Sequence, residues 1–232
     1  MKYYQPYGGG VNSLALKLLL IEQGRDCQSV FCNHGGDLLE TQNHVLMMIK
    51  EDFNIIELKP IVEGYNNIYD FYYDKKFVPL VFKSRSCTDK WKTRPQRKYY
   101  KSKGEPYKLL IGFDRDEKGR ANIETKLKKV SFEYPLIDAG LARRDCVKLI
   151  KEKGFEVPVK SDCFFCPFHS RERWWALARD HPDLFWKAVR LEENSEGPRL
   201  VRKGWLRDLY PPPKTFEMVD MGCNKCLFGI GA

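Results

Sequence analysis

The chain has 232 residues, a length that suits one large α/β domain or one domain with a small appendage. Its 43% of hydrophobic and 13% of aromatic residues are enough for a packed core, which excludes a wholly disordered protein. There are 40 lysines and arginines against 31 acidic residues, and the resulting formal charge of +9 favours anionic partners such as nucleotides, tRNA or DNA. A basic domain without a polymer partner is the alternative.

No apolar run approaches the roughly 18 residues that cross a bilayer. The longest run, over residues 14–21, is interrupted by Lys17. The N-terminus also lacks the charged start and the apolar run of a signal peptide. We therefore expect a cytoplasmic protein with no membrane partner. In that reducing compartment its eight cysteines should be thiols or metal ligands rather than disulfides.

The N-terminal part of the chain predicts alternating strands and helices. A strand over residues 1–7 runs into glycines, and apolar residues then recur over 13–23 at the spacing of a buried helix. Further strands are predicted over 29–32 and 54–58, on either side of a helix over 39–52. This order is typical of a doubly wound α/β fold with a mostly parallel sheet.

The pattern changes after this unit. Residues 61–83 are rich in Tyr, Phe and Asn, which indicates an insertion or lid with partial helical character, and residues 84–103 are strongly basic. Short strands are predicted over 109–112 and 132–136.

The C-terminal part is predicted to be mainly helical. One helix should cover residues 142–153, and a second should cover 171–190 with a break at His181-Pro182. The tail from residue 204 contains three consecutive prolines and should be irregular.

The turn between the first strand and the first helix is a candidate phosphate loop. Glycines let backbone N–H groups approach an anion, the helix N-terminus adds a positive dipole, and Ser13 can donate its hydroxyl. The loop lacks the lysine of a Walker A loop and does not match Gly-x-Gly-x-x-Gly. A tight turn without a ligand is the alternative. The residues assigned to nucleotide binding are Gly8, Gly9, Gly10, Val11, Asn12 and Ser13.

This loop resembles the PP-loop of N-type ATP pyrophosphatases, Ser-Gly-Gly-x-Asp-Ser. Gly8 stands in place of the first serine and Asn12 in place of the aspartate. The resemblance implies a Rossmann-like, adenine nucleotide alpha hydrolase-like fold that binds the adenylyl part of ATP and releases pyrophosphate. It also makes Asn12 a candidate catalytic residue.

Three later segments narrow the resemblance to the phosphoadenosine phosphosulfate (PAPS) reductase family. Residues 31–41 are similar to its Phe-x-Asp-Thr-Gly-x-x-x-x-Glu-Thr pattern, residues 85–95 to Cys-x-x-x-x-Lys-x-x-Pro, and residues 111–120 to Gly-x-x-x-x-Glu-x-x-Arg. The resemblance covers about residues 5–193. Four residues of these segments, Gly35, Lys90, Arg94 and Gly112, are added to the expected nucleotide site. His34 departs from the family pattern and is added because it follows the C-terminal end of a strand, where open α/β sheets bind ligands; a turn histidine without a ligand is the alternative.

The same resemblance predicts a domain division. A nucleotide-binding domain should cover residues 1–140, with the lid or insertion at about 61–103. A helical, cysteine-rich and metal-binding region should cover residues 141–232.

Two C-x-x-C pairs, Cys163 with Cys166 and Cys223 with Cys226, have the spacing that lets two thiolates bind one metal. A proline follows the first pair, as is common at iron–sulfur clusters. In adenylylsulfate reductases a cysteine of the basic segment joins the later pair around a [4Fe-4S] cluster, and the resemblance therefore implies Cys87 as a ligand. Those enzymes carry two adjacent cysteines where this chain has Ser86 and Cys87, so one ligand is missing.

Two completions of such a cluster are open. Either Cys223 or Cys226 supplies the fourth thiolate, or one iron stays open and carries sulfide. The rival is a structural Zn²⁺ ion held by both C-x-x-C pairs, which leaves Cys87 without a metal. By resemblance to the family's nucleophilic cysteine on a C-terminal tail, Cys223 and Cys226 are also candidate catalytic residues.

Charged side chains near the predicted site suggest further ligands. Asp37 and Glu40 follow the second strand and could hold Mg²⁺ through their oxygens. Residues 114–117 offer a second polar set. Residues 90–100 interleave cations with aromatic rings, a pattern that suits the phosphates and unpaired bases of a tRNA or DNA substrate. The same cations could instead bind ATP or a sulfonucleotide.

Three functions agree with these features. The first is an ATP-dependent sulfurtransferase that adenylates a base carbonyl oxygen, releases pyrophosphate and replaces AMP with sulfur. The second is reductive cleavage of PAPS or adenylylsulfate by a thiol, which releases sulfite and needs no ATP. The third is a nucleotide-dependent nucleic-acid-binding module without catalysis. We expect the first; the oligomeric state is open, with a homodimer as one arrangement.

Overall fold

The computed structural model describes residues 1–79, 86–121 and 130–215. Its centre is a parallel sheet of five strands in the order β3-β2-β1-β4-β5. The strands are β1 Lys2–Tyr7, β2 Gln28–Cys32, β3 Ile55–Leu58, β4 Tyr107–Leu110 and β5 Val130–Glu133.

The chain builds this sheet outward from β1 in both directions. It first adds β2 and β3 on one side and then crosses back to add β4 and β5 on the other. Because successive side chains of a strand point to opposite faces, β1 contributes to two layers. Tyr7 packs with the helices on one face, and Tyr4 stacks on Tyr100 at a ring separation of 4.6 Å on the other. The predicted doubly wound α/β fold is therefore confirmed.

The helices of the described residues are numbered in chain order. They are α1 Val11–Glu22, α2 Leu39–Lys50, α3 Ile68–Asp74, α4 Ser86–Thr88, α5 Arg94–Ser102, α6 Pro135–Asp138, α7 Arg143–Glu152, α8 Arg171–Asp180 and α9 Pro182–Asn194. A π-helical turn, Asp89–Thr93, joins α4 to α5, and 3-10 turns cover Arg115–Arg120 and Leu206–Leu209. Helices α1, α2 and α7 cover one face of the sheet, and α5 covers part of the other.

Several predicted elements are shifted or were missed. The strands predicted over 109–112 and 132–136 both begin and end earlier than expected. The second strand stops at Glu133 because Pro135 has no N–H to donate and instead begins a helix. The basic segment 84–103, for which no element was predicted, is helical from residue 86 to residue 102. The predicted break at His181-Pro182 is confirmed, since it separates α8 from α9.

A second hydrophobic core lies beside the sheet and joins α3 to α8 and α9. Phe71, Tyr72, Trp91 and Phe185 are all at most 2% exposed in it. In its described part, the segment predicted to be a lid or insertion at 61–103 therefore helps to build a core, as the connection from β3 to β4. This core contains residues from both sides of the boundary predicted at residue 140, and the domain division itself stays a prediction.

None of the helices in the three described ranges combines the length and the apolar character that a membrane crossing needs.

Phe185 tests whether α9 is anchored in this second core. Its side chain is fully buried, so Phe185→Ala should lower the free energy of unfolding by about 3–5 kcal/mol through lost contacts and a cavity. Urea denaturation followed by circular dichroism measures the change. The adjacent Trp186 is 38% exposed and serves as the control, because Trp186→Ala should cost clearly less. Equal losses for the two variants would contradict this packing.

Candidate functional site

The candidate phosphate loop lies at the end of the central strand. It follows β1 and leads into α1, whose first residue is Val11. The two neighbours of β1 are reached by connections that run in opposite directions across the sheet. This is the switch point of an open parallel sheet, where ligands of α/β proteins bind beyond the carboxyl ends of the strands.

The loop is compact because it has no side chains at three consecutive positions. Gly9 has a φ of +74°, and a Cβ there would lie 2.9 Å from Thr41 Cγ2 of α2. The N–H of Gly8 donates to Ser13 Oγ at 3.0 Å, which folds the loop onto the first helical turn. The predicted loop residues are therefore brought together at the helix N-terminus. Val11 can offer only its backbone, since its side chain is in the core.

Asn12 is held by side chains from two later segments. Its Nδ2 donates to Asp114 Oδ2 at 2.9 Å and to Glu117 Oε2 at 3.1 Å, while its Oδ1 accepts from Arg143 Nη1 at 2.9 Å. Burial, together with the nearby Asp114 carboxylate, raises the pKa of Glu117. An aspartate at position 12 could not donate to these two carboxylates. The Asn12 amide therefore has two acceptors to which the aspartate of the PP-loop pattern could not donate.

The segment that leads to the first C-x-x-C pair lies against the phosphate loop. Ser161 Oγ is 2.7 Å from the point where a Cβ on Gly10 would stand and 3.7 Å from the corresponding point on Gly8. Cys163 follows two residues later and forms a backbone bridge with Asp37. The loop and the first cysteine of the pair therefore belong to one site. Nothing in the sequence before Cys163 indicated this contact.

A buried polar cluster surrounds Cys163. His34 Nε2 lies 3.4 Å from Asp37 Oδ2, and one ligand atom from each of His34, Asp37 and Cys163 lies within 4.8 Å of the other two. Burial lowers the pKa of His34 to about 4, so its ring is neutral near pH 7. Burial, and then the Asp37 carboxylate, raises the pKa of Cys163 far above its usual value.

This cluster corrects the interpretation of His34. The sequence predicted a nucleotide contact because His34 follows a strand end, but its side chain is fully buried and faces Asp37. Asp37 is also only 5% exposed, while Glu40 pairs with His181 at 2.9 Å. The two carboxylates proposed to share Mg²⁺ therefore face different partners.

The remaining predicted nucleotide contacts are spread out. Gly112 lies against the loop, since a Cβ on it would be 3.2 Å from the carbonyl oxygen of Asn12. Gly35 packs against Asn67 instead. Lys90 pairs with Glu63 at 2.8 Å, and Arg94 pairs with Asp89. The structure therefore groups Gly112 with the phosphate loop and gives the two cations acidic partners of their own.

Cys87 and Cys163 both pack at the edge of the second core. Cys166 and Cys87 each add to the electrostatic surroundings that raise the pKa of Cys163. Within the described residues, however, the compact set of three metal-ligand atoms contains only one thiol, with an imidazole and a carboxylate. Such a mixed set fits a single ion, whereas clusters are typically held by thiolates.

Cys223 and Cys226 lie outside the described residues. Their assignments as metal ligands and as catalytic residues stay predictions, and so do the [4Fe-4S] cluster and the Zn²⁺ ion between the two pairs. Three other cysteines are buried core residues. Burial raises the pKa of Cys27, Cys32 and Cys146 to about 12, which leaves their thiols protonated and unreactive.

A second buried ion pair beside Cys163 was also missed by sequence reasoning. Asp162 Oδ1 accepts from Arg173 Nη2 at 2.9 Å, and its Oδ2 lies 3.3 Å from His169 Nε2. Burial alone would raise the pKa of Asp162, but His169 and Arg173 lower it to about 2. This pair fixes the segment before the C-x-x-C turn to α8.

Comparison with known proteins gives a fold and no family. No protein-family model matches the chain, and no curated protein sequence matches it. Its structure is similar to that of a phosphoadenylyl-sulfate (PAPS) reductase from Candida auris in a phosphate complex, with a TM-score of 0.50 and 17% identity. The match covers 68% of this chain and 75% of that one. The predicted PAPS reductase-like fold is therefore confirmed, while activity has to be argued from the site.

Asn12→Asp tests the network at the phosphate loop. The change removes the amide that Asp114 and Glu117 share and puts a third carboxylate beside them. We expect the free energy of unfolding to fall by about 1–3 kcal/mol near pH 7, since buried acceptors lose their donor. Repulsion raises the pKa of the new carboxyl in the folded state, so the difference from wild type should shrink as the pH falls through about 5.

Urea denaturation at several pH values measures this effect, with Asn12→Ser as the uncharged control. Unchanged stability of Asn12→Asp, or a loss that grows on acidification, would contradict the network.

Proposed function

We propose that this protein is an ATP-dependent sulfurtransferase whose acceptor is a nucleic-acid base. The observation that carries the proposal is the packing of Ser161 on the glycine loop, two residues before Cys163. The proposed reaction first activates an acceptor with a nucleotide and then delivers sulfur to it. It therefore needs a phosphate site in contact with a segment that carries a thiol.

The first half of the reaction would take place at the loop. The acceptor carbonyl oxygen attacks the α-phosphorus of ATP, the bond to the β-phosphate breaks, and pyrophosphate leaves. Backbone N–H groups of the loop and the N-terminus of α1 would stabilise the charge that develops on the phosphates. Mg²⁺ that enters with ATP would neutralise part of the phosphate charge.

The second half needs a sulfur nucleophile. Sulfur attacks the activated carbon, the bond to the adenylated oxygen breaks, and AMP leaves, so that with hydrosulfide as donor no net oxidation occurs. Exposed cations of residues 90–100 would bind the phosphates of the acceptor polymer, whereas the rings of Trp91 and Tyr100 are buried and cannot stack on its bases. Lys98 is exposed on α5, and so is Arg94, whose guanidinium pairs with Asp89.

A sulfonucleotide reductase is the second candidate, and the likeness to a PAPS reductase favours it. Such an enzyme needs an accessible, ionisable thiol. Burial keeps Cys27, Cys32 and Cys146 protonated and also raises the pKa of Cys163, so none of these four meets that need. The reductase would therefore depend on Cys87, Cys166 or the C-terminal pair.

Pyrophosphate release from ATP tests the sulfurtransferase. Anaerobic protein with sulfide should release pyrophosphate faster when bulk tRNA or DNA is added. Gly9→Ala should lower this rate by on the order of tenfold or more, because the new methyl group meets Thr41 and Val45 of α2 and displaces the loop.

Gly24→Ala is the matched control. Gly24 also has a left-handed φ, +63° against +74° for Gly9, but no atom lies within 4 Å of its Cβ position. It should share the backbone penalty and keep the rate near that of wild type. Thermal melting of both variants checks that they fold. If the protein releases sulfite from PAPS with thioredoxin and releases no pyrophosphate from ATP, it is a sulfonucleotide reductase and not a sulfurtransferase.

A further inference from the structure

We propose that His34, Asp37 and Cys163 bind a single Zn²⁺ ion beside the phosphate loop. One ligand atom from each residue lies within 4.8 Å of the other two. These are a nitrogen, an oxygen and a sulfur, the three donor types that zinc takes in proteins. Three protein ligands leave the fourth position of a tetrahedral zinc ion open. Catalytic zinc sites have such an open position, whereas structural zinc sites do not.

The polar atoms of this cluster lack adequate partners. His34 is 0% exposed and Asp37 is 5% exposed. His34 Nε2 and both carboxylate oxygens of Asp37 are buried without a hydrogen bond. Their closest charged contacts, 3.4 Å between His34 and Asp37 and 3.8 Å from Lys92 to Asp37, are longer than hydrogen bonds. Burying such groups is costly unless something compensates, and a bound cation does so.

Gly36 lies against both the His34 ring and the Cys163 sulfur. A Cβ on this residue would stand 3.2 Å from His34 Nδ1 and 3.3 Å from Cys163 Sγ. It would also lie 2.7 Å from Ile68 Cγ2, so no side chain fits there. A residue larger than glycine at position 36 would place its Cβ against the His34 ring and the Cys163 sulfur.

The hydrogen bonds of the ring define what zinc would replace. In the metal-free chain the N–H of Gly36 donates to His34 Nδ1 at 3.1 Å, which assigns the ring proton to Nε2, the nitrogen that faces Asp37. Zinc at Nε2 takes the place of that proton. The ring proton then belongs on Nδ1, and the Gly36 N–H contact opens. The ring proton is thus moved and not lost, while thiolate formation at Cys163 releases one proton, so binding should weaken as the pH falls.

This ligand set differs from the predicted [4Fe-4S] cluster, from the predicted Zn²⁺ ion between the two C-x-x-C pairs and from the predicted Mg²⁺ ion at Asp37 and Glu40. It uses one cysteine of the first C-x-x-C pair and neither cysteine of the second. It concerns the metal alone and does not depend on sulfur transfer, although an ion here would lie in the same site as the proposed reaction.

The test begins with metal analysis of the anaerobically purified full chain. We expect about one zinc per chain and no stoichiometric iron. After removal by a chelator, titration with Co²⁺ as a spectroscopic probe should give the visible bands of a tetrahedral site and a sulfur-to-metal charge-transfer band. Asp37→Asn and Cys163→Ser should each weaken zinc binding by more than about tenfold.

Two controls make the result decisive. His44→Gln changes a histidine outside the cluster and should keep full zinc content. The double variant Cys223→Ser/Cys226→Ser should also keep it, whereas a site between the two C-x-x-C pairs would lose it. Thermal melting shows whether each variant is folded, and Asp37→Asn keeps the shape of the side chain.

Stoichiometric iron with the visible absorbance of a cluster would overturn the proposal. So would the absence of metal, or zinc that is retained by Asp37→Asn and lost from the C-terminal double variant. Zinc bound as expected in a protein without pyrophosphate release would retain this site and remove the sulfurtransferase. Turnover by protein that contains no zinc would remove this metal site and retain the sulfurtransferase.

Discussion

The phosphate loop can lie where it does only because three residues in a row have no side chain. A methyl group on Gly9 would meet α2, and one on Gly10 would meet Ser161. The loop is therefore enclosed by two parts of the chain that are distant in sequence. One of them leads directly to Cys163, and the other begins just after Asp37. This close packing joins the glycine loop at the carboxyl end of β1 to the cysteine segment, so that the two form one candidate site.

The elements around β1 could be predicted because their signals are local. A strand that ends in glycines and a helix with an apolar stripe are visible in any short window of the sequence. The later strands were harder, since their apolar runs extend beyond the paired residues. Ile111 and Leu136 are both at most 2% exposed, yet neither belongs to a strand. Hydrophobicity reports burial, whereas strand pairing also depends on which neighbour is available.

The candidate site was predictable in its parts but not in its assembly. The glycine loop and the C-x-x-C pair each have a recognisable spacing, whereas the distance between them depends on long-range packing. His34 was given a nucleotide contact from its place after a strand, whereas the structure buries its ring against Asp37 and beside Cys163. In the same way, the aromatic segment after β3 suggested a lid because its core partners, α8 and α9, come much later in the sequence.

Sulfur incorporation is the most direct test of the central claim. Protein, ATP and sulfide are incubated anaerobically with bulk tRNA or DNA, and the polymer is then digested and its nucleosides are examined by mass spectrometry. The account predicts a nucleoside in which sulfur replaces oxygen, formed in equal amount to AMP and pyrophosphate. Unmodified nucleosides, together with sulfite production from a sulfonucleotide and a thiol, would contradict it.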